Sequence, residues 1–396
     1  MLVFIVSRGY PSPKYKFNGI FEYDQARALQ KAGCKVILLA VDLRSIRRWR
    51  NWGIEHMFQD GIDIYTLNIP LGRIPHYLLK FWGIIGTKKL YKIAIQRHGV
   101  PDVIHCHFMT QAEITISLKQ KTSKPVFVTT QHEDYLLRQT LEMPNWVQCH
   151  AKEILAQYHA VIAVSPGLAS HIKQCFGINA IYAPNVVDTS IFGYQYRYIM
   201  NDKFFDFVFV GTLEARKCPV CTIRAFHEAF ISSGFMTKDG QKIRLIVVGN
   251  GPEYYDCKNT IDQLALNDYV IMQGQLQREE IAKIFYTSSI FILPSRRETF
   301  GVVYIEAMAC GLPVIATKCG GPELFVNETN GVLIPVDDQD ALANSFRFML
   351  NNAGKYDREN IANETKNKFS PDAVAEQIIA IYRGLINANS SKESLI

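Results

Sequence analysis

Short apolar runs recur along this chain with helical patterns between them, and they fall into two sets of six. The first set occupies residues 2–6, 36–41, 62–67, 103–105, 126–129 and 160–164; the second occupies 207–210, 244–248, 269–272, 290–293, 313–315 and 331–334. Runs this short, alternating with amphipathic helices, are the pattern of strands in parallel α/β layers. The polar and aromatic stretch at 193–202 breaks the alternation. With 396 residues the chain exceeds one ordinary core. The expectation is therefore an α/β protein with two Rossmann-like, doubly wound parallel-sheet domains, over 1–193 and 203–370. A C-terminal helix over 371–396 would pack back on the first domain and end in a frayed polar tail. Two such sheets would face a cleft at the carboxyl ends of their strands, where ligands of α/β proteins bind.

The composition, 48% hydrophobic and 20% charged, is that of a globular chain. No apolar stretch approaches the ~20 residues of a membrane-spanning helix. The first residues lack the features of a secretion signal, so a cytoplasmic location is expected. Nine irregularly spaced cysteines do not make a disulfide framework. The close pair, Cys218 and Cys221, is read as two reduced cysteines at a turn entering a helix; a redox or zinc half-motif is the other reading, and no second such pair exists. The net charge of +6 is uneven: residues 1–190 carry 22 basic and 13 acidic residues, and the remainder 21 and 24. Basic clusters at Arg44, Arg47, Arg48 and Arg50, and from Lys80 to Lys92, are interleaved with Trp49, Trp52, Phe81 and Trp82. They suit an anionic membrane surface or an anionic acceptor, or else a solvated basic face. No recognition motif for nucleic acid accompanies them.

Two carboxylates stand out in the segment 296–317. Glu298 interrupts the loop after an apolar run, and Glu306 sits within the helical pattern of Val302, Val303, Ala307, Met308 and Ala309. Ionised carboxylates are rarely buried without a partner. Pro294 closes the preceding strand, Gly301 permits a close approach, and a helix over 302–310 ends at Gly311. Both carboxylates can then reach one ligand. The amides of Thr299, Phe300, Gly301 and Val302 would be free at the helix start, a seat for phosphate or sugar hydroxyls. The alternative, a capping box from Ser295 to Glu298, would put Gly301 inside the helix and leave Glu306 unexplained.

These residues resemble a known family. Pro294, Ser295, Glu298, Thr299, Phe300 and Gly301, continuing through Glu306, Gly311, Pro313 and Gly320-Gly321, look like the signature of two glutamates seven residues apart in retaining glycosyltransferases of family 4, with the GT-B fold. The likeness extends through Gly211 and Lys217, Gly249, Gly251 and Pro252, Gly274, the stretch from Pro184 to Asp188, and Asn18-Gly19 with Gln25 and Ala28. Nearly the whole chain is covered, most strongly from about 207 to 335.

The resemblance implies that Glu298 approaches the donor sugar and Glu306 accepts from the ribose hydroxyls. Lys217, with Arg216 beside it, would meet the donor diphosphate, where charge builds as the sugar becomes oxocarbenium-like. The family commonly has Arg where this chain has Thr212, and Gly where it has Cys218. Gly19, before a helix beginning near Phe21, would offer amides to the same diphosphate; Asn18 replaces the first of a usual glycine pair. His132 matches a histidine used near the donor sugar or acceptor. Without the resemblance, Arg216 and Lys217 read as solvated cations in a loop. His105 and His107 are read as satisfied or cleft-lining histidines, because no third metal ligand is set by spacing. Asp338 and Asp340 fall before a helix beginning at Ala341 and read as a cap and a first-turn acid, not a metal motif. Gly249 and Gly251 are no dinucleotide fingerprint, since Tyr254 stands at the third glycine position.

The expected activity is metal-independent, retaining transfer from a nucleotide-sugar donor to a hydroxyl of a saccharide acceptor. The donor is a co-substrate, and no cofactor is required. The basic first half suggests a lipid-linked acceptor at the inner membrane face, and the amino-terminal motif resembles the branch that builds bacterial surface polysaccharides. A sugar-nucleotide epimerase of the same architecture and a non-catalytic nucleotide-sugar-binding protein are the alternatives.

Overall fold

The computed structural model describes residues 1–11, 18–43, 51–71, 75–119, 125–132, 145–195, 203–232 and 241–393. The basic cluster at 44–50 lies outside them. The apolar runs become strands: β1 (Leu2–Ser7), β2 (Lys35–Asp42), β3 (Gly53–Gln59), β4 (Ile62–Asn68), β5 (Val103–His107), β6 (Val126–Gln131), β7 (Ala160–Ala163) and β8 (Ile181–Tyr182) in one sheet. Their order is β3-β4-β2-β1-β5-β6-β7-β8, and all neighbours are parallel except β3 with β4. A second sheet holds β9 (Phe204–Val210), β10 (Lys242–Val248), β11 (Val270–Gly274), β12 (Ile290–Leu293), β13 (Val314–Thr317) and β14 (Gly331–Ile334), in the order β11-β10-β9-β12-β13-β14. Its pairings are parallel throughout.

The central strands are buried on both faces, which is why they read as continuous apolar runs; β6 and β12 have no accessible residue. The edge strand β3 alternates half-buried and exposed positions instead. It has no apolar run, and its residues were not among the expected strands.

The chain divides into two compact units, Met1–Val186 with Pro371–Ile396, and Val187–Ser370. The division precedes the stretch at 193–202 because residues 187–193 are tied to the second unit. The Val187 amide donates to the Phe369 carbonyl at 2.9 Å, the Tyr286 hydroxyl donates to the Ile191 carbonyl at 2.7 Å, and Phe192 is fully buried beside Phe285. In the first unit the helix Pro371–Glu393 places Val374, Ala375, Ile378, Ile379 and Tyr382 in the core with Ala26, Ala28 and Leu29 of the helix Ile20–Lys31. A C-terminal helix thus completes the amino-terminal unit.

Both sheets reverse their winding at a defined place, between β1 and β5 in the first and between β9 and β12 in the second. In open α/β sheets the carboxyl ends at such a switch point form the ligand crevice, because the following helices depart on opposite faces.

Candidate active site

In the second unit, the residues after β9 and those after β12 are laced together at the switch point. The Arg296 amide donates to the Arg216 carbonyl at 2.8 Å, and the Arg296 guanidinium donates to the Ala215 carbonyl at 2.9 Å. Arg216 donates to the Arg297 carbonyl at 3.0 Å and to Glu214 at 2.8 Å. This lacing brings Lys217, at the end of a short 3-10 turn (Ala215–Lys217), onto Glu298, 81 positions away.

Glu298 is 6% exposed. One carboxylate oxygen accepts from the Lys217 ammonium and from the Ser295 hydroxyl at 2.8 Å; the other lies 3.8 Å from the Arg216 guanidinium. The carboxylate is stabilised by two cations and a hydroxyl, which resolves the question its burial raises. Ser295 therefore acts on the Glu298 side chain and is not a helix cap. The helix Val302–Ala309 begins instead at Gly301, whose φ of 91° is the left-handed conformation that glycine tolerates. A side chain there would also strike the Tyr304 ring.

The amides of Thr299, Phe300, Gly301 and Val302 donate to no acceptor among the described residues. They stand beside the Lys217–Glu298 pair at a helix start, where the aligned peptide dipoles favour an anion. The Phe300 ring is a packing group, tilted against Phe325 and edge-on to Phe369. Glu306 lies on the second turn of the same helix and accepts from Arg278 at 3.2 Å. Arg278 is the first residue of the helix Arg278–Thr287, a position where a cation opposes the helix dipole. That misplacement is the signal in the sequence that could have singled it out.

Gly249, at the end of β10, would place a Cβ 1.9 Å from the Gly211 carbonyl oxygen, so this contact between the two strand ends admits only glycine. Leu213 donates to Asn250 at 3.1 Å and accepts from Glu253 at 2.8 Å, fixing the loop that carries the exposed Thr212. Cys218, where the family has glycine, adopts the left-handed φ of 53° that glycine would supply. Asp338 caps the helix Gln339–Asn352 by accepting from the Ala341 amide at 2.8 Å, with Asp340 in the first turn.

In the first unit the switch point is built differently. Gly19, with φ of 72°, precedes the helix Ile20–Lys31, and a Cβ there would lie 2.3 Å from the Gly9 carbonyl oxygen. His132 follows β6 and stacks on Phe108 at 4.5 Å between ring centroids and on His107 at 5.2 Å. Its Nε2 is 3.0 Å from His107 Nδ1. Burial first, and then the neighbouring His107, Arg8 and His105, keep His132 well below the usual histidine range. His107 is pushed down to about 3 by burial and then by Arg8. His105 is held low by burial and by His107, with Gln25 and the Tyr382 hydroxyl at its Nδ1 and Thr130 at its Nε2. These three imidazoles are neutral at physiological pH.

Three further residues here escaped the sequence reading. Glu22 is fully buried, accepts from Arg8 at 3.2 Å, and has no partner for its second oxygen among the described residues. The Arg8 guanidinium lies 3.3 Å from the centroid of Phe108, itself held at a φ of 67°. Nothing in the pattern separates Glu22 from an ordinary first-turn acid.

Comparison with known proteins bears on this geometry. A model of the glycosyltransferase family 4 matches residues 21–191, and one of glycosyl transferases group 1 matches residues 197–368. The chain belongs to glycosyltransferase family 4. The first match covers β2 to β8 of the first sheet, and the second covers every strand of the second sheet. An uncharacterised glycosyltransferase of Methanocaldococcus jannaschii is 25% identical over 82% of this transferase and 85% of its own length. Sucrose-phosphate synthase from Thermosynechococcus elongatus superposes with a TM-score of 0.79 at 20% identity, over 98% of this chain and all of that one. Anabaena HepE, solved with UDP and glucose, gives 0.69 at 19% identity over 97% of this chain and all of its own. The fold of the transferase is GT-B.

Proposed function

We propose that the transferase moves a sugar, with retention and without a metal ion, from a nucleotide-sugar bound at the second unit's switch point to a saccharide hydroxyl. The observation that carries this reading is the buried Glu298 carboxylate held between Lys217 and Arg216 beside the amides of 299–302. In such a transfer the bond from the anomeric carbon to the diphosphate breaks, and the acceptor oxygen bonds to that carbon on the same face. Negative charge grows on the departing diphosphate, so fixed cations and amides act on the transition state more than on the ground state. Lys217 and Arg216 supply the cations, and Arg216 takes the place of the arginine missing at Thr212. A donor phosphate oxygen takes the acceptor proton, so no protein base is needed. Glu306, oriented by Arg278, accepts from the ribose hydroxyls. Gly19 and His132 are the first unit's contributions to the donor diphosphate and to the sugar or acceptor. The UDP and glucose of the Anabaena structure make UDP-sugars the first donor class to test.

The acceptor is proposed to be lipid-linked, in surface glycoconjugate synthesis. Supporting this, the helix His76–His98 exposes Tyr77, Phe81, Trp82 and Ile85, followed on the same side by exposed Lys88, Lys89 and Lys92. Apolar groups followed by lysines suit an anionic bilayer surface. No helix among the described residues is long and apolar enough to cross a membrane.

The test is a screen of UDP-, GDP- and ADP-sugars with a chelator present, read by thermal stabilisation and slow donor hydrolysis. One donor should respond, and Glu298→Gln should lower its turnover at least about tenfold, or ~1.4 kcal/mol in the barrier. Unchanged turnover in that variant would sink the assignment. Anionic vesicles should retain the protein at low salt, and charge reversal at Lys88 and Lys89 should release it.

A further inference from the structure

The donor-site reading leaves Cys218 and Cys221 unused. They occupy the cap and third positions of the helix Pro219–Phe226. Those two positions meet in a capping box, so both thiols lie at the same helix start. Cys218 is buried and donates to the Ala215 carbonyl at 3.4 Å, while Cys221 is half-buried. They open on a cavity of about 280 Å³ whose lining includes Arg296, Thr317, Asp337 and Gln339. Arg296 is fixed there by Asp337 at 2.6 Å and by the Ala215 carbonyl. A guanidinium and a helix start beside a half-buried sulfur are the surroundings in which thiols react.

We propose that Cys218 and Cys221 are a reversible disulfide site, oxidised by a small disulfide such as oxidised glutathione, and that closing the bond disables Lys217. Cys221, the more accessible of the two sulfurs, is the nucleophile, its thiol held below the usual thiol range by Cys218 and then by Arg296; Cys218 is buried, and its thiol is held above that range by Cys221 and by burial. The Cys221 thiolate attacks one sulfur of the small disulfide, whose S–S bond breaks and whose second half leaves and takes a proton. Cys218 then gives its proton to solvent and attacks the Cys221 sulfur, expelling the other half as a second thiol. Two protein thiols are oxidised by two electrons, and one small disulfide is reduced to two thiols.

The consequence follows from chain continuity. Cys218 directly follows Lys217 and shares its turn, through Lys217 donating to Glu214 at 2.8 Å and Cys218 to Ala215 at 3.3 Å. Drawing the Cys218 sulfur toward Cys221 removes its bond to Ala215 and moves the residue next to the Glu298 partner. This consequence rests on the proposed role of Lys217; the disulfide itself does not.

The full chain, equilibrated in glutathione redox buffers, alkylated and cut with trypsin, releases the peptide 218–224 with both cysteines. It is expected unalkylated and two hydrogens below its unmodified mass in oxidised samples, doubly alkylated in reduced ones, and alkylated once, on Cys218, in Cys221→Ser. Recovery of two free thiols, or of a lasting glutathione adduct, under conditions that oxidise the exposed Cys149 would overturn the disulfide. Donor turnover of the oxidised protein should fall about fivefold and return with dithiothreitol, with Cys221→Ser insensitive to both. A disulfide that forms without changing turnover would overturn the switch. Absence of turnover even when reduced would count against the donor-site reading, while the peptide still decides the disulfide.

Discussion

The two switch points share a topology and differ in their chemistry. After β9 and β12 the second unit gathers charge: Glu298 is buried between Lys217 and Arg216, and Glu306 is held by Arg278. After β5 and β6 the first unit gathers stacked, neutral imidazoles. A buried charge pair is stable only while both partners stand, whereas a neutral histidine cluster is stable only while it stays unprotonated. Similar architectures can therefore fail under opposite perturbations, one by mutation of a partner and the other by acid.

The largest test of this contrast is Lys217→Ala. It leaves the 6% exposed carboxylate with only the Ser295 hydroxyl and Arg216 at 3.8 Å, and the second unit should lose about 3 kcal/mol. The double variant with Glu298→Gln should recover most of that loss. All four tryptophans lie within residues 1–186, so tryptophan fluorescence follows the first unit while far-UV circular dichroism follows both. Lys217→Ala should lower the circular dichroism midpoint and leave the fluorescence midpoint in place; equal shifts in both would break the comparison.

Acid gives the converse test. His107 has its folded value depressed to about 3, below the unfolded 6.5, so between those values the unfolded chain binds more protons. Its contribution is present above pH 6.5 and is lost progressively as pH falls toward 3. At pH 5 the loss is about 2 kcal/mol from this residue. The fluorescence midpoint should drop between pH 7 and pH 5, and His107→Gln should flatten that dependence. A midpoint equally acid-sensitive in the variant would remove the imidazole cluster from the explanation.

The smallest effect is expected at Arg278→Gln. It leaves Glu306 in place but unoriented, and donor binding should weaken by about 1 kcal/mol with little change in turnover at saturation. Isothermal titration separates this from Glu298→Gln, where turnover falls while donor still binds. A turnover loss in Arg278→Gln as large as in Glu298→Gln would merge two roles that the geometry keeps apart.

What was legible in the sequence followed from burial of long apolar stretches and from spacing. Strands such as β1, β10 and β12 announce themselves because both their faces are covered. Strand β3 does not, because one edge and part of both faces meet solvent. Glu298, Glu306, Gly301 and Lys217 were legible through their motif. Arg278, Arg8, Phe108 and Glu22 were not, because each matters through a partner 14 or more positions away.

The sequence by itself determined the α/β class, the two sets of strands, the family and the carboxylates that the second unit must neutralise, since periodicity and residue chemistry are local properties. Only the tertiary structure decided that Lys217 stands on Glu298, that Arg278 holds Glu306, and that Arg296 stands beside the helix start that carries Cys218 and Cys221. Those pairings depend on which strands become neighbours at a switch point. Strand order is set by the packing of the whole sheet, which no single stretch of chain encodes.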